Sequence, residues 1–169
     1  MFLVVGATGE LGGRIVRLLR ADGHDVRCLV RDGSDDVGLR EVGATVVRGD
    51  LTDPPSLRVA CEGVDTVIAT AAAIARILAG ARRPTIRETD EIGMLALVDS
   101  AESAGVQRFV YISAPDLDAA SGRWIAPSWR SRSVWERHQC GPLSSGQMPS
   151  RRSIWHPSVA LTWRLARCR

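Results

Sequence analysis

Gly6, Gly9 and Gly12 follow directly on the apolar run Phe2–Val5 and lead into a segment of helical pattern. A short buried strand, a glycine turn and a helix start are the parts a dinucleotide pyrophosphate needs. The backbone can approach the phosphates closely, and amide N–H groups at the positive end of a helix meet their charge. Gly6 allows the tight turn, Gly9 the close approach and Gly12 the close packing of helix on strand. The bland alternative is a sharp turn that binds nothing. Four further residues with chemistry to offer, Arg31, Asp50, Ala71 and Ser113, each end or follow a strand-like run. Arginine at such a place clamps a ribose 2′-phosphate, whereas a carboxylate would hold a free 2′-hydroxyl. Arg31 would otherwise pair with Asp32 or Asp35 on a solvated loop. The Ser113 hydroxyl suits a substrate carbonyl or, equally, nearby backbone. Tyr111, the one tyrosine, falls inside a strand pattern and reads as a core residue, and His24 reads as a surface turn residue.

Alternating elements must position these residues. A helix is expected over 10–21, with Leu11, Ile15, Leu18 and Leu19 on one face and Gly23 as its stop. A strand at 26–30, a short helix at 37–42 and a strand at 44–48 come next. Asp53-Pro54-Pro55 reads as an N-cap with proline in the first turn, opening a helix to Cys61. A strand at 65–70 and a small-residue run at 71–83, helical in part, follow. Thr85-x-x-Glu88 has the form of a capping box for a helix to Ala104, with Ile92, Leu95, Val98 and Ala101 inward. The last strand is 108–113. Five strand–helix alternations predict an α/β fold, a doubly wound parallel sheet entered by right-handed crossovers. Its ligand crevice lies at the carboxyl ends of the strands, where Gly6–Gly12, Arg31, Asp50, Ala71 and Ser113 all fall.

Composition bounds the partners. The 169 residues suit one domain with a sizeable core, and no run approaches the ~20 apolar residues of a membrane span. The N-terminal residues are already strand and carry no export pattern, so the cytoplasm is the expected location. Cys28, Cys61, Cys140 and Cys168 are scattered, which indicates neither a metal site nor a disulfide framework. Charge divides sharply along the chain: residues 1–123 hold 14 Arg against 18 acids, residues 124–169 hold 8 Arg against Glu136 alone. All five tryptophans lie in that last stretch, and lysine is absent throughout.

LVVGATGELGG, CLVRD, GATVVRGDL and AGVQRFVYISA together resemble, in order and spacing over residues 1–115, the atypical short-chain dehydrogenases of the NmrA-like NAD(P)-binding type. The resemblance implies a Rossmann-type sheet in which Gly6, Thr8, Gly9, Glu10, Leu11 and Gly12 line the phosphates. By the same likeness Arg31 faces the adenosine ribose, Asp50 and Leu51 border the adenine, and Ala71 and Ser113 lie toward the nicotinamide. NADP(H) is then expected over NAD(H), and hydride transfer to a small carbonyl or quinone-like substrate is the implied activity. A non-catalytic NADP(H)-sensing role is the alternative, because the wider family's Tyr-x-x-x-Lys pair cannot be formed here. Arg132 and Glu136 stand where some relatives place a lysine and a glutamate four residues apart. Residues 116–169 depart from the family, apart from a faint likeness at His156-Pro157-Ser158-Val159, and read as a truncated or divergent tail. Its expected order falls away between Pro115 and Arg130. An altered reading frame, a divergent lid and a basic, tryptophan-bearing nucleic-acid surface stand as its three readings.

Overall fold

The computed structural model describes residues 1–73, 77, 80, 82 and 84–112 with side chains, and residues 113, 116–117, 124–125 and 162–167 by their backbone. Five parallel strands, β1 (Phe2–Val5), β2 (Val26–Val30), β3 (Thr45–Arg48), β4 (Thr66–Ala69) and β5 (Arg108–Ser113), stand in the order β3-β2-β1-β4-β5. The strand pairings are in line: Val4 sits opposite Cys28 on one side and Ile68 on the other. Because side chains alternate across a strand, central β1 feeds two cores. Leu3 and Val5 join Leu57, Val67, Met94 and Leu97 on one face of the sheet. Val4 joins Val16, Cys28, Val30 and Leu39 on the other.

The connecting helices are α1 (Glu10–Ala21), α2 (Val37–Glu41) and α3 (Pro54–Cys61). The fourth connection begins as a π-helical segment, Arg87–Gly93, and continues as α4 (Met94–Ser103). The capping box forms as read: Thr85 N–H donates to Glu88 Oε2 at 2.6 Å, and Glu88 N–H to Thr85 Oγ1 at 3.2 Å. At α3 the expected cap is only positional. Asp53 stands at the N-cap and its carbonyl accepts from Ser56 and Leu57 N–H, but its carboxylate makes no capping bond.

Two helix faces differ from the periodicity reading. On α1 the buried residues are Gly12, Gly13 and Val16, while Leu11 and Leu18 are exposed. Gly12 lets the helix backbone sit directly on the turn before it, so the glycine side rather than the leucine side is pressed inward. Ile92 is 54% exposed instead of buried, because a π turn holds more residues than an α turn and rotates the face. Thr89, Asp90 and Gly93 are buried in its place. Past the rotation Val98 and Ala101 are buried as expected.

Residues Thr162–Arg167 form a further strand, β8, antiparallel on the free edge of β5, with Ser113 opposite Thr162 and Arg108 opposite Arg167. Sequence reading placed no strand there. An uncovered β5 would present a row of unpaired backbone groups, which an added strand satisfies. Asp116–Leu117 (β6) and Trp124–Ile125 (β7) pair antiparallel with each other. Arg132, Glu136, His156–Val159, Cys140, Cys168, most of the 71–83 run and the expected loss of order after Pro115 lie outside the described residues.

Candidate functional site

The strand order reverses between β1 and β4, and a cavity of about 340 Å³ opens there at their carboxyl ends. Gly6 carries the chain out of β1 with φ +90°, and Gly9 N–H closes the turn on Gly6 O at 3.0 Å. A Cβ on Gly6 would lie 2.7 Å from Ala71 N, so the turn abuts the exit of β4 with no room for a side chain. One on Gly12 would come within 2.2 Å of Gly6 O, which is the close helix-on-strand packing the spacing implied. Thr70 locks the same junction: its hydroxyl donates to Val5 O at 3.0 Å and Gly6 O at 3.3 Å.

Gly9, in extended conformation, is the N-cap of α1, and no side chain caps the helix. The amides of its first turn therefore have no intrahelical acceptor and lie at the positive end of the dipole. Glu10, the acid of that turn, is held by Arg14 at 2.7 Å on the exposed side. Thr8, Gly9, Glu10, Leu11 and Gly12 all line the cavity. Arg31, Asp50, Leu51 and Ala71 line it too, so the residues predicted from sequence come together at one site. Ser113 ends β5 at the same sheet edge, and only its backbone is described.

Arg31 is exposed, and among the described residues no ion pair joins it to Asp32 or Asp35. Asp35 instead accepts Val37 N–H at 3.0 Å. Asp36 takes Arg40 at 3.0 Å and Arg48 at 2.7 Å, and the Arg40 hydrogen bond first of all holds its carboxyl below the usual carboxylate range. Arg48 in turn donates to Arg31 O at 3.0 Å, which fixes the backbone from which the Arg31 side chain projects. On the other wall Asp50 Oδ1 accepts from Thr52 N–H at 2.8 Å and Thr52 Oγ1 at 2.7 Å. The cavity is thus basic at one end, amide-lined at its floor and largely apolar along Leu29, Leu51 and Ala71–Ala73. Glycine cradle, free amides and an arginine fit a dinucleotide diphosphate.

Sequence reading missed Thr70, Ala73, Pro84 and Thr89, which also line the cavity. Thr70 was legible as the residue beside Ala71 at the same strand end; Thr89 depends on the π turn, which no periodicity signals. Tyr111 is half-buried and packs against the core, and His24 is exposed beside the Phe2 ring at 5.0 Å. Cys28 and Cys61 are fully buried; burial pushes their thiols up to about 12 and about 11, with Arg27 opposing the shift at Cys61. Among the described residues no helix is long and apolar enough to cross a membrane.

Strand order and glycine turn make this a Rossmann-type fold. The chain belongs to the NmrA-like family, whose model matches residues 1–138. It is similar to the photosystem II assembly factor Ycf39 of Synechocystis, 41% identical over 111 residues, 66% of this chain and 32% of the relative. To the NAD(P)H azoreductase of Xenophilus azovorans it is 34% identical over 130 residues, 74% of this chain and 41% of that one. A solved structure of a DesIV variant, a dTDP-glucose 4,6-dehydratase from Streptomyces venezuelae with NAD and DAU bound, matches with TM-score 0.54 and 29% identity over 64% of this chain and 38% of that one. The chain spans well under half the length of these relatives.

Proposed function

We propose that this chain is an NADP(H)-binding oxidoreductase-like protein of the NmrA-like family. The observation that carries the reading is the uncapped first turn of α1 sharing one cavity with Arg31. Pyrophosphate would rest on the amides of Glu10 and Leu11, and the 2′-phosphate would take Arg31 as its counter-charge. Asp50 and Leu51 would border the adenine, and Ala71 and Ser113 the nicotinamide. When bound, the nicotinamide supplies hydride chemistry; the protein's part is to bind, orient and exclude water. A small carbonyl or quinone-like acceptor suits the apolar wall beyond Ala71. The azoreductase relative supports reductase chemistry; the Ycf39 relative is a photosystem II assembly factor, and NADP(H) binding without turnover is the second reading.

A specific feature favours that second, non-catalytic reading. These 169 residues contain no lysine, and their single tyrosine packs against the core from β5, so they form no Tyr–Lys proton-donating pair among themselves. Following NADPH oxidation with a panel of quinones and small carbonyls separates the two. Turnover that a Gly9→Val substitution abolishes supports the enzyme; stoichiometric binding without turnover supports the sensor.

A further inference from the structure

Thr89 lines the cavity, and its hydroxyl is buried with no hydrogen-bond partner among the described residues. That is unusual for a helical hydroxyl, which ordinarily bonds back to the carbonyl four residues earlier. Ser100 and Ser103 on α4 do so, to Ala96 O at 2.7 Å and Asp99 O at 2.8 Å. Thr89 sits in the π-helical segment, where the turn is wider and the threonine is only 9% exposed. Buried polar groups left unpaired are rare, and each calls for a specific reason.

The segment is pinned on both sides. A Cβ on Gly93 would come within 2.8 Å of Leu51 Cβ, so the π turn backs directly onto the adenine-side wall. Asp90, 1% exposed, accepts Ala73 N–H at 2.8 Å and ties the same turn to the exit of β4. Thr89 is thereby held on a wall otherwise made of Leu51, Ala73 and Pro84. Of the other polar side chains lining the crevice, the Thr70 hydroxyl is on two carbonyls, Asp50 is held by Thr52 and Glu10 by Arg14, while Thr8 and Arg31 are exposed at the phosphate end. An apolar stretch of lining with a buried, unspent hydroxyl suits a heteroaromatic ring, which buries its faces and needs pairing only at its edge.

We propose that Thr89 is a cofactor-binding residue whose hydroxyl, turned toward the cavity when the cofactor is bound, hydrogen-bonds the edge of the purine base of the dinucleotide. The assignment rests on the NADP(H) reading above and adds to it the group that recognises the base. A hydroxyl both donates and accepts, so it can meet a ring nitrogen or the exocyclic amine. The experiment measures dissociation constants of full-length wild type, Thr89→Val and Thr89→Ser for NADPH, for 2′,5′-ADP and for nicotinamide mononucleotide. Valine keeps the shape and loses the hydroxyl; serine keeps the hydroxyl. Thr89→Val should weaken NADPH and 2′,5′-ADP by about fivefold, with nicotinamide mononucleotide unchanged and serine close to wild type. The ligand-free valine variant should melt no lower than wild type, because it removes an unpaired buried group. Wild-type binding of NADPH with an unaffected valine variant, or a loss confined to the mononucleotide, overturns the Thr89 assignment and leaves the cofactor reading standing. Wild type that binds neither NADPH nor 2′,5′-ADP overturns both.

Discussion

Arg31 is the residue on which cofactor choice turns. It lines the crevice, keeps clear of the neighbouring aspartates, and has its backbone carbonyl fixed by Arg48. A charge-assisted hydrogen bond to phosphate is worth about 1.5–3 kcal/mol, so Arg31→Ala should weaken NADPH roughly 10- to 100-fold and change NADH little. Paired equilibrium titrations read this directly, and an equal loss for both cofactors would take the 2′-phosphate away from Arg31. The buried thiols make a second residue-scale prediction. Folded Cys28 and Cys61 keep their protons to about 12 and about 11, against an ordinary value of 9.0. The unfolded chain therefore binds fewer protons than the folded one above pH 9, and stability falls as pH rises. Below that range their contribution is fully present. Urea unfolding should show a loss of about 2–3 kcal/mol between pH 8 and pH 10, and a Cys28→Ala, Cys61→Ala double variant should lose distinctly less over the same interval.

At the scale of elements, the glycine turn and α1 act as one unit. Gly12→Val would force a side chain into the Gly6 carbonyl, at a cost of about 1–3 kcal/mol in urea unfolding. It should also weaken NADPH and NADH alike, since both rest on the same amides, in contrast to the selective effect at Arg31. The capping box gives a milder test: Thr85→Ala should cost about 0.5–2 kcal/mol and leave Arg31-dependent selectivity intact. These elements also show what a sequence reveals. β1, β2 and β5 were readable because apolar runs between glycine and polar turns leave few alternatives, and α1 began and ended where its glycines said. Its buried face was not readable: Leu11, Leu18 and Gly12 compete for the core, and only the close approach to Gly6 decides for the glycine. Ile92 was misplaced for a related reason, since a 3.6-residue period cannot report a π turn. The glycines and Arg31 of the site were legible because their roles follow from backbone and charge; Thr89 was not, because its orphaned hydroxyl exists only in that wider turn.

For the molecule as a whole, fold and crevice come from the same topological fact. The chain leaves β1 toward β2 on one side, and the β3–β4 crossover brings it back to the other side of β1, so the strand order reverses at β1 and β4 and the glycine turn sits at their carboxyl ends. The backbone of β8 then covers the edge at β5, on the side of the sheet where Ser113 ends its strand. A ligand that binds only the folded state must stabilise it, by about 2.7 kcal/mol at 100 times its dissociation constant. The most direct measurement is calorimetric titration of the full chain with NADPH and with NADH, beside Gly12→Val under the same conditions. The account predicts one NADPH per chain, bound at least tenfold more tightly than NADH, with both interactions weakened in Gly12→Val. Absence of binding by either cofactor below millimolar concentration, or binding that Gly12→Val leaves untouched, would contradict it.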